Sequence, residues 1–132
     1  MKEAGLATPT ANEPDYDHIL RSNLARVFNE RDGGKRAAAV AELFVPEPIM
    51  YEPTAIVTGR DAIVAIAGDL LERFGPTFIF TPEGPAVGHH DIGTLRWRAG
   101  PLGGPIAVTG ADVAEIVDGR ISRLWVLLNP PA

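Results

Sequence analysis

Apolar residues recur at helical spacing in three segments between Tyr16 and Phe74 of this chain and at alternate positions through most of the remainder. Ile19, Leu20, Leu24, Val27 and Phe28 predict a helix over Tyr16 to Arg31, with Asp15 placed to cap it. Gly33 and Gly34 stop that helix and turn the chain into a shorter one, Lys35 to about Leu43, after which Pro46 and Pro48 force extended chain. Ile49 to Glu52 reads as a short strand. Thr58 or Gly59 opens a third helix reaching about Phe74, with Ile63, Ile66, Ala67, Leu70 and Leu71 as its buried stripe. Four strand candidates follow: Thr77 to Phe80, Ala86 to Ala99, Pro105 to Val117 and Arg120 to Leu128. Helices first and antiparallel strands later define an α+β class, one curved sheet wrapped against helices.

A chain of 132 residues can bury roughly two thirds of its unfolded surface in a single core without a covalent staple. The absence of cysteine excludes disulfides, thiolate metal sites and cysteine nucleophiles. A net charge of -5, from 12 basic and 17 acidic residues, opposes the counterion release that drives nucleic-acid binding, so no nucleic-acid partner is expected. No segment has the length and apolarity of a membrane span, and Met1 to Pro14 lacks the hydrophobic stretch of a signal peptide; the expectation is a cytoplasmic protein without membrane contact. Residues 1–14, with Gly5, Pro9 and Pro14, read as a flexible arm ahead of one domain over residues 15–132. The run Gly33 to Arg36, GGKR, lacks the spaced first glycine and the hydroxyl residue of a phosphate loop and reads as a helix–helix turn.

One acid stands out against this pattern. In Pro105 to Val117 the even positions are Ile106, Val108, Gly110, Asp112, Ala114 and Ile116, so a strand puts Asp112 on an apolar face. A carboxyl there must find a partner, take up a proton, or line a cavity that uses its raised proton affinity; a bulge that frees it to water is the alternative. In the segment Ala86 to Ala99, the odd positions Val87, His89, Asp91, Gly93, Leu95 and Trp97 form the more apolar face, which places His89 and Asp91 toward the same interior. His89 has the ordinary pKa best suited to proton transfer at neutral pH, although a hydrogen-bonded core histidine would look the same. Which of His89 and His90 faces inward is left open. Adjacent strand residues point to opposite faces, so the pair does not make a metal site, and no metal or cofactor is expected.

The run TGRDAI opening the third helix, the strand ending YEP just before it, and GADVAEIVDGRISRLW near the C-terminus together resemble the nuclear transport factor two-like superfamily. The chain is most similar there to the SnoaL-like polyketide cyclases and ketosteroid isomerases, over about Asp15 to Asn129. The resemblance implies a cone: a strongly curved mixed or antiparallel sheet wrapped around three N-terminal helices, enclosing an internal pocket and usually paired as a homodimer. It also implies roles. Glu52 matches the proton-shuttling aspartate of the isomerases, and Asp112 matches their protonated, hydrogen-bond-donating aspartate. Val27 falls where those isomerases carry an oxyanion-binding tyrosine. Tyr16 lies about 16 Å away along the helix and Tyr51 points to the other side of its strand, so neither replaces it. The SnoaL-like cyclases use an aspartate and a histidine in the pocket, for which Asp112 and His89 are the candidates here.

The expected catalytic set is therefore Asp112, His89, Glu52 and Asp91. Solvent exposure is the alternative for Glu52, and orienting His89 or pairing with Arg96 is the alternative for Asp91. Alternation adds Met50, Ile66, Leu70, Leu95, Val108, Leu124, Val126 and Leu128 as walls that would contact a small apolar organic molecule, although core packing gives the same residue types. The function expected is acid–base catalysis without a cofactor, an isomerisation or cyclisation of a carbonyl-containing or polycyclic compound. The alternatives are a non-catalytic binding or dimerisation module, and an epoxide hydrolase-like enzyme built on Asp91 and Asp112. Trp125 and Leu127 share the opposite face of the last strand, and burial against a second copy would account for them.

Overall fold

The computed structural model describes residues 13–131. Of the predicted arm over residues 1–14, all but Glu13 and Pro14 lies outside the described residues. Helix α1 spans Tyr16–Asn23, and the Asp15 side chain accepts from the His18 N–H at 3.0 Å, which satisfies one of the unpaired donors at a helix start. The helix runs on through a π turn, Leu24–Phe28, closed by the Asn29 N–H on the Leu24 carbonyl at 2.9 Å. It thus ends short of Arg31. Helix α2 is Gly33–Leu43, with Asp32 accepting from the Lys35 N–H. The two glycines expected to separate the helices form the first turn of the second, because Asp32 caps it ahead of them. Helix α3, Arg60–Phe74, buries Ile63, Ala67 and Leu71, with Ile66 and Leu70 partly covered at the edge of its stripe.

The strands are β1 Phe44–Glu52, β2 Ala55–Thr58, β3 Phe78–Pro82, β4 Val87–His89, β5 Ile92–Pro101, β6 Val108–Val117 and β7 Arg120–Leu128. Among the described residues they form one open mixed sheet in the order β2-β1-β7-β6-β5-β3, with β4 beside β5, β1–β7 parallel and the other pairs antiparallel. β1 begins earlier than its apolar run suggests. Pro46 and Pro48 fall where its register against β7 shifts between Phe44 and Ile49, an irregularity that tolerates the missing donors. A second shift, between Glu115 and Ile116 on β6, gives that strand a local bend. β2 is a four-residue addition that the sequence reading did not anticipate.

The predicted strand Ala86 to Ala99 is in fact a hairpin. His90 and Asp91 both have positive φ, 51° and 70°, forming a two-residue turn between β4 and β5. Asp and His tolerate this left-handed region better than most side chains do. The helices cover one face of the sheet, where Leu20, Val27, Val40, Met50, Leu95, Ile121 and Leu124 are wholly buried. Gly93 permits the approach of α1, since a Cβ there would lie 2.5 Å from the Tyr16 ring. On the outer face Tyr51 and Trp125 are register partners, with rings stacked 5.0 Å apart at 14°, and Leu127 is exposed beside them. Among the described residues, no helix is long and apolar enough to cross a membrane.

Candidate active site

Asp112 stands on β6 with Leu95 of β5 and Val126 of β7 as its register partners, on the face toward the helices. It is buried, 4 % exposed. Its partner is Trp97, whose indole Nε1–H donates to Asp112 Oδ1 at 3.0 Å; Oδ2 makes no hydrogen bond among the described residues. Trp97 reaches it from two residue pairs along the same face, because Trp97 pairs with Gly110, and a Cβ on Gly110 would lie 2.8 Å from the indole Cζ2. The missing side chain makes room for the ring that holds the acid. Burial pushes the Asp112 carboxyl up from 3.8 to about 7, with Trp97's donation opposing it.

Asp112 lines a cavity of about 300 Å³. Leu24 and Phe28 enter from the π turn, Leu70 and Phe74 from α3, Phe78 and Phe80 from β3, Val126 and Leu128 from β7, Val108 from the start of β6 and Ala107 from the residue before it. The aromatic rings form a continuous wall: Phe74 stacks on Phe78 at 4.5 Å, Phe78 meets Phe80 edge-on at 5.5 Å, and Phe80 meets Trp97 edge-on at 5.3 Å. Asn29 fixes Phe80 from outside, donating to its carbonyl and accepting from its N–H, both at 2.8 Å. The π turn, a geometry concentrated at functional sites, thus delivers Leu24 and Phe28 to the cavity and Asn29 to the backbone of Phe80. Glu52, at the end of β1, is the second acid on the wall; partial burial raises its carboxyl and the Arg73 charge lowers it.

The structure separates the expected catalytic set. Asp112 and Glu52 share the cavity; His89 and Asp91 are exposed at the β4–β5 hairpin and do not reach it. His89 Nδ1 lies 2.8 Å from His90 Nδ1, and neither ring faces the interior. The Asp91 N–H donates to the Tyr16 hydroxyl, and its carbonyl accepts from the Ile116 N–H. The correction has one cause: counting alternate residues across His90 and Asp91 assumes a strand where there is a turn. The Asp91–Asp112 pair required by the epoxide hydrolase alternative is not assembled. The groups of three or more metal-ligating side chains that would suggest a metal centre are absent among the described residues.

Of the expected walls, Leu70, Val108, Val126 and Leu128 line the cavity. Met50, Leu95 and Leu124 are instead wholly buried core, and Ile66 packs against that core without lining the cavity. Met50 and Leu124 belong to a row two residues along from Val126 and Asp112, the row that runs through Ala114 to Gly93 beneath Tyr16. Sequence reading missed Trp97 as a donor and missed the phenylalanine wall. The alternation Phe78, Phe80 was a signal for two of these rings, but seating Trp97 beside Asp112 needs the β5–β6 register.

Residues 23–124 match the model of the SnoaL-like domain family. A search of curated protein sequences finds no match. Among solved structures, the fold is similar to that of a SnoaL-like family protein from Agrobacterium tumefaciens, an isomerase by name, with a TM-score of 0.81 at 24% identity over 88% of this chain and 98% of that one. A Kribbella flavida protein, a ketosteroid isomerase by name, gives 0.68 at 16% over 89% and 80%. A Sinorhizobium meliloti protein, a polyketide cyclase by name, gives 0.64 at 21% over 83% and 93%. At such identities the likeness establishes the α+β cone and leaves the chemistry to be argued from the cavity.

Proposed function

The chain belongs to the SnoaL-like domain family, and from that premise we propose that it is an acid–base enzyme of the isomerase or cyclase type, acting on a small carbonyl compound through Asp112. What carries the reading is a buried carboxyl on a cavity wall, held by one oxygen and poised near neutrality. As a carboxylate, Asp112 takes a proton from the carbon beside the carbonyl: the C–H bond breaks, an O–H bond forms on Asp112, and the electron pair moves into the enolate. Returning that proton to another carbon of the enolate completes an isomerisation and regenerates the carboxylate. Trp97 is a positioning residue that holds Oδ1 and leaves the other oxygen for proton transfer. The cavity volume lies at the small end of ligand sites, which favours one or two rings over a polycyclic compound.

The test is deuterium exchange at the carbon beside the carbonyl of 1-indanone, followed by proton NMR in D2O. The wild-type chain is expected to accelerate exchange, and Asp112→Asn to lose about a hundredfold or more of that acceleration, the scale of a general base. Equal exchange by the two proteins would remove Asp112 from the chemistry and leave a binding cavity.

A further inference from the structure

Glu52 is the acid on the cavity wall that the proton transfer above does not use. It sits with Pro53 and Phe74 where the wall meets solvent: Pro53 is exposed and the Phe74 ring is 44 % exposed. Among the described residues the lining contains two acids, five aromatic side chains and not one Lys, Arg or His. The cation that acts on this corner belongs to α3. The Arg73 guanidinium carbon lies 6.0 Å from the Phe74 ring centroid, and Arg73 is the charge that acts on Glu52. This corner already draws one cation of the chain toward an aromatic face and a carboxylate, without closing an ion pair between them among the described residues.

We infer that the cavity takes a one- or two-ring ligand bearing an ammonium group, with the ammonium held at the mouth between the Glu52 carboxylate and the Phe74 ring and the uncharged end reaching Asp112. The inference rests on the reading of the cavity as the reactive site and deepens it by assigning the ligand's charge. A partly buried carboxylate has lost water that a cation replaces, and an aromatic face attracts the same cation through its quadrupole. An anionic ligand would instead meet two acids with no cation among the described lining residues. A neutral one would bring no charge to the Glu52 carboxylate. Glu52 is thus the ligand's anchor, and Asp112 its proton carrier.

The charge that bears on Glu52 is Arg73 from α3, and Asp112 from β6 is the other acid on the same wall; among the described residues the rest of the lining, from the π turn, α3, β3, β5, β6 and β7 and the loops beside them, is apolar or aromatic. Protonating the two acids removes the attraction, so binding of an amine weakens as pH falls, while a neutral analogue has no such charge to lose.

Calorimetric titration of the full chain at pH 8 with 2-aminoindane, 2-indanol and indane-2-carboxylate tests the assignment. The amine is expected to bind about tenfold or more tightly than the alcohol, a preference of the size that cation–π contact and one charge pair supply. The carboxylate should bind weakest. Glu52→Gln should bring the amine-to-alcohol ratio close to one, and the alcohol's own binding reports that the variant is folded. An alcohol that binds as well as the amine in the wild type, a carboxylate that binds best, no binding by any of the three, or a ratio untouched by Glu52→Gln would each overturn the inference. Failure of the functional reading is separate: wild-type protein that prefers the amine but does not exchange 1-indanone keeps the anchor and loses the enzyme. The opposite result keeps the enzyme and loses the anchor.

Discussion

The Trp97 indole N–H and the Asp112 carboxylate, two residue pairs apart on neighbouring strands, meet at 3.0 Å in the floor of the cavity. Among the described residues the contact is the one side-chain hydrogen bond that holds this acid, and it pulls against the effect of burial. Desolvation favours the neutral carboxyl and the indole favours the anion, so both forms stay accessible near pH 7. A wholly unpaired acid in the same place would stay protonated, and an acid beside a guanidinium would stay ionised.

Stability should record this balance. The Asp112 carboxyl titrates at about 7 when folded against 3.8 ordinarily, so between these values the folded chain keeps a proton that the unfolded chain has lost. Stability from this group is therefore complete at low pH and declines as pH rises, reaching a cost of about 4 kcal/mol above the folded value. Asp112→Asn abolishes that decline. Melting temperatures taken from pH 4 to pH 8 should show the variant gaining on the wild type as pH rises, and parallel curves would show that Asp112 is solvated.

Trp97→Phe removes the donor while keeping a ring in place. Since the donation lowers the carboxyl, its loss should move the Asp112 titration upward, along with the pH midpoint of 1-indanone exchange. Carbon-13 NMR of the aspartate carboxyl reads the shift directly. A purely structural Trp97 would cost stability and leave the midpoint alone.

Gly110→Ala is expected to destabilise the fold by about 1–3 kcal/mol, the usual cost of overpacking. Its Cβ would lie 2.8 Å from Trp97 Cζ2 and 2.3 Å from the Leu127 carbonyl oxygen, and the second contact is backbone that cannot step aside. Urea unfolding measures this, and a neutral substitution would show that the indole has room to spare.

We propose a homodimer through the outer sheet face, centred on the stacked pair Tyr51 and Trp125 with Leu127 beside them and Arg96, Arg98 and Arg123 toward the margin. Covering these apolar groups gains about 25 cal/mol for each Å². Trp125→Glu should give a monomer in sedimentation, because a carboxylate in the interface core has no partner. A wild type that sediments as a monomer at micromolar concentration, or a dimer indifferent to Trp125→Glu, argues for a different surface.

Much of the fold is legible in local pattern. Asp15 marks the start of α1, the stripe Ile63, Ala67 and Leu71 orients α3, and alternation around Asp112 identifies its buried face, because each depends only on near neighbours in sequence. The hairpin at His90 and Asp91 was missed because its turn lacks a glycine, so alternation carried straight through it and pointed two exposed side chains inward. The proline-bearing half of β1 hides its pairing in a register shift. The aromatic wall depends on which strands become neighbours: Phe80 meets Trp97 only because β3 lies beside β5, and no local signal carries that distance.

Asn29 has a second consequence. β3 is an end strand of the open sheet, and the outward N–H and carbonyl of Phe80 would be free to receive a strand from another molecule. The Asn29 amide occupies both, doing with one side chain what an additional strand residue would do. The edge is thereby closed to accretion at the point where it backs the cavity. A chain that lost this clasp would stand exposed to self-association by edge pairing, a hazard set by one amide rather than by the hydrophobicity of the strand.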